Sequence, residues 1–367
     1  MKYTHAITAL SVLAFTTSVH AAVGSHVYAN AISANNIIAI NQSIMSNAML
    51  TFEGTAAAAL GTRAHLIGKN APAPINREYY GNGMMYGHPS AYGEPDVTIA
   101  PAPHGRNGGD MSRPIVNSLW FAWQHYDDDV KFHDMHNLDS EYDLLMLGLG
   151  GGHAQMGAGI SSWGMYSGYV GGTQSNARMN LDEDGGYVGI YAGYSIGGFN
   201  LSTSVSGGAL YNHARAEFGT DEYANIWAGM AARASYNIAV TDTFTFQPNL
   251  YAGYTWIKSA NYISKSGAHI ANKHFNTFQL TPGLRLIKHW NKGWFTTIYG
   301  KYAMNFEHGG TAAVSDVKIH DLETDDYAEY GIGIEKSIDR FNIAVNIGRR
   351  DGGRTGWNGG FNLKYIF

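Results

Sequence analysis

From Trp357 to Phe367 the residues Trp357, Phe361, Leu363, Tyr365 and Phe367 fall on one phase, and Asn358, Asn362 and Lys364 fall on the other. Strand side chains point alternately to opposite faces, so this segment presents one apolar and one polar surface as a strand. The same two-residue period runs through Phe341 to Gly348, Trp294 to Phe306, Phe278 to Leu286, Phe244 to Trp256, Ala224 to Tyr236 and Phe199 to Tyr211. Tyr327 to Lys336 and Tyr187 to Ile196 follow it with more glycine; Val116 to Tyr126, Tyr142 to Gly150 and Trp163 to Gly172 follow it more weakly. Twelve strands, an even number, are expected between about 114 and 367, and the expected fold class is all-β.

Whether the apolar faces meet each other or meet lipid is decided by the aromatics. Phe199 and Tyr211, Phe244 and Trp256, and Trp294 and Phe306 form same-phase pairs, each twelve residues apart. At ~3.3 Å per residue and a tilt of ~40 to 45°, that spacing climbs roughly 28 to 30 Å. An apolar band about 25 Å tall between two aromatic girdles is the profile of a transmembrane β-barrel, whereas a soluble sandwich has no reason to hold such a separation. Composition agrees: charged residues make up 14% of the chain, against about 25% in an average globular protein, and there are 46 glycines. Hydrophobic content is an ordinary 45%, which is what alternation produces. Past the N-terminus no run of 18 apolar residues occurs, which excludes a helical membrane protein. With no cysteine there is no disulfide framework or cysteine nucleophile, and a net charge of -5 gives no reason to expect nucleic acid as a partner.

The preceding third divides into three expected parts. Residues 1–21 read as a secretory signal peptide: Lys2, an apolar stretch from Ala6 to Phe15, and a small-x-small site at Val19-His20-Ala21. Residues 22–70 hold an Ala-rich, weakly amphipathic helical segment broken near Gly54 and Gly61. Residues 71–114 form a linker holding seven of the nine prolines. The barrel is then residues 115–367. Its outer loops are expected at 127–140, 174–184, 212–222, 258–274, 307–325 and 349–356, alternating with short inner turns at 196–198, 237–242, 289–293 and 337–340 and a less defined one near 151–161.

With these features in order, the region from about 114 onward resembles the C-terminal translocator domain of autotransporters, the type V secreted proteins of Gram-negative bacteria. Gly359-Gly360-Phe361-Asn362-Leu363-Lys364-Tyr365-Ile366-Phe367, Pro248 to Tyr254 and Thr281 to Leu286 contribute to the likeness. The resemblance implies a monomeric twelve-stranded barrel in the outer membrane, with lipid and lipopolysaccharide around it. It also implies export by the general secretion machinery, and reading of Leu363, Tyr365 and Phe367 as a signal by the barrel-assembly machinery. Secretion or surface display of an N-terminal segment would follow, with a helix left in a lumen of small residues. A porin-like channel plugged by that helix, and an adhesin acting through the loops at 258–274 and 307–325, are alternatives.

Arg233, Arg285, Lys301, Glu329, Glu335 and Lys364 lie on the polar phase and are expected to line the lumen, with Arg285, Lys301 and Glu329 forming a ladder across three strands. They line a pore or grip a helix, or simply satisfy one another. Asp127, Asp128 and Asp129 with His133, Asp134 and His136 read as a solvated acidic loop rather than a metal site. No Ser, His and acid can be placed together as a triad, so no catalytic residue, metal or cofactor is expected.

Overall fold

The computed structural model describes Ala29, residues 32–51, and residues 117–367 apart from 133–136, 157–158, 177–178, 217–218, 242, 266, 268, 272–273, 310–311, 315–316 and 320–323. The signal-peptide and linker expectations, and His133, Asp134 and His136, lie outside the described residues.

Twelve long strands form the wall: β1 (Ser118–Val130), β2 (Leu138–Met156), β3 (Gly159–Asn176), β4 (Met179–Ile196), β5 (Phe199–Ala216), β6 (Gly219–Tyr236), β7 (Phe244–Ser259), β8 (His274–Trp290), β9 (Trp294–Gly309), β10 (Tyr327–Ile338), β11 (Phe341–Gly352) and β12 (Arg354–Ile366). Each pairs antiparallel with its sequence neighbour, and β12 pairs with β1 from Ser118 opposite Ile366 to Val130 opposite Arg354, so the sheet closes on itself. Closure leaves no edge, the condition for a sheet to sit in lipid where bare backbone groups find no water. The last residue takes part: Asn117 and Phe367 exchange backbone hydrogen bonds of 3.0 and 2.9 Å. All twelve expected strands are present.

Their lengths differ from expectation at one end. The expected outer loops 174–184 and 212–222 are largely strand, leaving only 177–178 and 217–218 as connections, and 349–356 shrinks to Gly353. Connection lengths therefore do not alternate cleanly between the two ends. The reason is a reversal of the alternation. Along β4, Val188 and Ile190 face outward in the apolar band, but further up the outward positions are Asp182 and Asp184, while Met179 and Leu181 point inward and are buried. With Val130, Phe132, Leu138, Ala214 and Tyr223 they form an apolar cluster inside the barrel's upper rim. These strands thus rise beyond the lipid as a water-facing barrel, and the polar outward residues are strand rather than loop. Asp127 to Asp129 likewise belong to β1, not to a loop.

The two longest connections, 260–273 and 310–326, pair with each other: Tyr262–Ile263, His269–Ala271, Ala312–Val314 and Val317–Ile319 form a small four-stranded sheet at the same end. The opposite end carries the tight turns. At Gly197 and Gly198, φ values of 52° and 100° meet the demand of a two-residue hairpin for left-handed backbone.

The six girdle aromatics share the outer face. Phe199, Tyr211, Phe244, Trp294 and Phe306 are exposed, and Trp256 is half-buried on the same phase. At the turn end Phe199 lies opposite Tyr236 and Trp294 opposite Trp290, and Phe341 and Tyr365 lie opposite each other.

Candidate functional site: the lumen and its helix

The expected N-terminal helical segment is helical over 32–51, and it runs through the barrel. Its sequence contains no charged residue, so its burial inside the tube leaves no helix charge in need of a counter-ion.

Ile37, Ile40, Ile44 and Ala48, spaced three and four apart, line one helix face. They are buried in one cluster with Trp120, Tyr166, Tyr187, Tyr191 and Trp227 of β1 to β6. The expectation of a lumen of small residues is corrected on this side. Inward aromatics lie over glycines of neighbouring strands, so the wall is at once bulky and smooth. A Cβ on Gly148 would come 2.2 Å from the Trp120 ring, which is why glycine is required there. Much of the chain's surplus of glycine and aromatics is spent on this packing.

The same face and its flanks also carry amides and hydroxyls, Ser33 and Asn41 lying four residues before and after Ile37. Ser33 Oγ donates to Asn212 Oδ1 at 2.6 Å, Asn225 Nδ2 to Ser33 Oγ at 2.7 Å, and Asn41 Nδ2 to Thr255 Oγ1 at 2.8 Å. Gln124 Nε2 donates to Asn47 Oδ1 at 3.0 Å. Asn41 sits so close to the wall that a Cβ on Gly229 would lie 2.0 Å from its Nδ2. Each such bond contributes about 0.5–1.5 kcal/mol net, and more is lost if a buried partner is orphaned.

The helix has a defined direction. Ala29 and Ile32 pack into the apolar cluster at the loop end. At the turn end, Lys364 is 2% exposed and donates from Nζ to the Thr51 carbonyl at 3.0 Å. A cation on the last carbonyls is favourable for both hydrogen bonding and the helix dipole.

All six lumen charges expected from alternation face inward. Lys301 and Glu329 are opposite each other and 3.1 Å apart. Arg285 does not extend that row: the register sets it opposite Tyr299, and its guanidinium donates to Gln247 Oε1 at 3.2 Å. Glu335 accepts from Asn342, and Arg233 is buried opposite Tyr251.

The row instead continues the other way. Lys301, Glu329, Arg350, Gly356 and Asp128 are successive register partners across β9, β10, β11, β12 and β1. Arg350 donates to Glu329 Oε2 at 3.0 Å and to Asp128 Oδ2 at 2.6 Å, reaching past Gly356, which has no side chain to obstruct it. Its guanidinium also stacks 4.3 Å from the Tyr126 ring centroid. Arg354 Nη1 approaches Asp128 Oδ2 at 3.6 Å, and its Nη2 donates to Asn35 Oδ1 at 2.8 Å. A buried charge chain therefore crosses the closing seam and ends on the helix. Asp128 is expected from the sequence in a solvated loop, and Arg350 and Arg354 are not singled out by it, although each continues the inward phase of its strand.

The model of the autotransporter β-domain matches residues 121–362, about two thirds of the chain. The chain belongs to the autotransporter family. Among solved structures, the autotransporter fold of this barrel is similar to the β-domain of BrkA from Bordetella (TM-score 0.55, 15% identity, covering 68% of this chain and 98% of that one). It is also similar to the transport unit of AIDA-I from Escherichia coli (0.54, 17%, 74% and 96%) and to the translocator domain of NalP from Neisseria meningitidis (0.54, 13%, 68% and 88%). At these identities the likeness is one of fold. No curated protein matches the chain in sequence. The protein is an outer-membrane autotransporter β-barrel; the tight-turn end, which also holds Asn117 and Phe367, is then the periplasmic end.

Proposed function

We propose that this autotransporter barrel displays the N-terminal end of its own chain at the cell surface and keeps the helix as the thread that crossed. The observation that carries the reading is the helix direction: Ala29 lies at the loop end and Thr51 at the turn end. Residues 1–21 direct export through the general secretion machinery and are removed, so the displayed segment immediately ahead of the helix is residues 22–28. The wall is surrounded by outer-membrane lipid and lipopolysaccharide, and the barrel acts as a monomer without catalytic chemistry. An epitope tag inserted after Ser25 is expected to be cut by protease added to intact cells while the barrel stays folded. Full protection of the tag on a folded barrel contradicts display.

Leu363, Tyr365 and Phe367 supply the assembly signal. They share the outward phase of β12, and Tyr365 lies 4.9 Å from Phe341 and 5.8 Å from Phe367, ring centre to ring centre. Deleting Phe367 is expected to lower the amount of heat-modifiable barrel in the outer membrane severalfold; unchanged abundance speaks against that role.

A further inference from the structure

Charge is spread unevenly around the periplasmic end. The turns near 151–161 and 196–198 hold no Lys, Arg, Asp or Glu, and the connection at 237–243 holds only Asp242, outside the described residues. The β8–β9 and β10–β11 hairpins carry Lys288, Lys292, Lys336 and Arg340 there, against Asp339 alone. Lys292 and Arg340 are exposed at the turns. The two turns touch: Lys336 Nζ donates to the Lys292 carbonyl, and a Cβ on Gly293 would lie 2.7 Å from the Ser337 carbonyl oxygen. Four basic residues thus form one patch on two adjoining hairpins.

On the outer face these cations are interleaved with the girdle. The register sets Lys288 opposite Phe244, and Trp294 between Trp290 and Lys336. Lys288 Nζ lies 4.3 Å from the Phe244 ring centre and 5.4 Å from that of Trp290, and Lys336 Nζ lies 5.0 Å from that of Trp294. Two ammonium groups therefore flank a pair of exposed indoles and are held at girdle height by cation–π contact. Their hydrogen bonds leave the charge in place, because both acceptors are neutral: Lys288 donates to Thr243 Oγ1 at 2.8 Å, and Lys336 to the Lys292 carbonyl. Outward cations at the loop end differ, Arg215 being paired with Asp182 and Arg349 with Asp351. Among the described residues no carboxylate forms an ion pair with Lys288, Lys292, Lys336 or Arg340.

We infer that this outer face of β8 to β10 is a binding site for an anionic phospholipid of the periplasmic leaflet, its phosphodiester held by Lys288 and Lys336 and its acyl chains laid along Trp290, Trp294 and the apolar wall. Lys288 and Lys336 sit two strands and two residues apart, roughly 12 Å from Cα to Cα, so both ammoniums can reach one phosphate. Lysine binds phosphate as a point charge, and basic sites beside a membrane select anionic headgroups. Membrane depth favours a lipid over a soluble anion: the cations lie on rings of the aromatic belt, where headgroups sit, and Leu286, Ile298 and Ile334 continue the same outward face as exposed apolar residues. The site rests on the barrel's place in the outer membrane and not on display of residues 22–28, so it stands or falls separately from display.

The test places the full-length folded barrel in nonionic detergent micelles doped with dioleoylphosphatidylglycerol or dioleoylphosphatidylcholine and counts bound lipid by native mass spectrometry. Phosphatidylglycerol is expected to stay bound at doping levels where phosphatidylcholine, whose headgroup has no net charge, is lost. At about fivefold per lysine, Lys288→Gln combined with Lys336→Gln should weaken its retention roughly 25-fold, while Lys258→Gln at the loop end leaves it unchanged. Where the double variant does not give the heat-modifiable form, Lys336→Gln alone is compared and should show the fivefold loss. Glycerol 3-phosphate in excess should not displace the lipid. Equal retention of the two lipids, unchanged retention in the lysine variants, or displacement by glycerol 3-phosphate overturns the proposal.

Discussion

Deleting residues 32–51 is expected to convert a nearly sealed barrel into an open pore, raising single-channel conductance in planar bilayers by an order of magnitude. The helix with its side chains is about 10–12 Å across, and only a cavity of about 230 Å³ between it and the wall of β6 to β12 remains for ions. Nothing in the wall depends on the helix for its backbone bonds, since all twelve strands pair with one another, so the deletion variant should still show heat-modifiable migration. Four isoleucines that are wholly buried at present, Ile32, Ile37, Ile40 and Ile44, leave with it, and each contributes roughly 1.5–3 kcal/mol by burial. The variant is therefore expected to be measurably less resistant to denaturant. Equal conductance with and without the helix would mean that the helix does not occupy the lumen in a membrane.

The second large effect is expected at Arg350. Replacing it by Met keeps the bulk but leaves Asp128 and Glu329 as buried carboxylates that have lost their shared partner. Removing one partner of a buried ion pair costs about 3–5 kcal/mol, whereas replacing the whole set by neutral groups is often close to neutral. Arg350→Met alone should lower denaturant resistance by that amount, and Arg350→Met combined with Asp128→Asn and Glu329→Gln should recover only part of it, because Lys301 and the buried Arg354 then lose their own carboxylates. Because the row crosses the β12–β1 seam at its loop end, the loss should show first as weaker closure there, seen as faster amide exchange at Lys131, which donates to the Gly353 carbonyl beside the row, than at the β4–β5 pairing. Additive losses in the combined variant would show that these residues act separately.

Both effects trace to the inward face, and this is where the sequence was only partly legible. The outward face declares itself, because lipid accepts one kind of residue and interfacial aromatics mark where it stops; Phe199 and Tyr211 alone set the height of the band. The inward face answers to several solvents. Beside the helix it is aromatic at Trp120 and Tyr187, beside the cavity it is charged at Arg285 and Lys301, and above the bilayer it is apolar at Leu181 and Met179. One alternation rule therefore finds the strand but not its neighbours. The same limit explains the extra loops expected at 174–184 and 212–222: polar residues on the outward phase signal water, which surrounds a loop and a protruding strand alike. Arg350 and Asp128 were readable by carrying the phase two residues further. Their pairing was not, because it joins strands 222 residues apart and depends on a glycine between them.

The central claim is that the N-terminal helix lies in the lumen with its own register. The chain has no cysteine, so an introduced pair reports without background. Asn41→Cys with Gly229→Cys places one thiol on the helix and one on β6, where the present contact is closer than a Cβ would allow. Oxidation in intact outer membranes is expected to link them, so that a protease site engineered into 71–114 leaves the helix fragment covalently attached to the barrel. Asn41→Cys with Lys258→Cys, the latter on the outward face of β7, should give no link. Release of the fragment from the first pair, or equal linkage in both, would contradict the helix position described above.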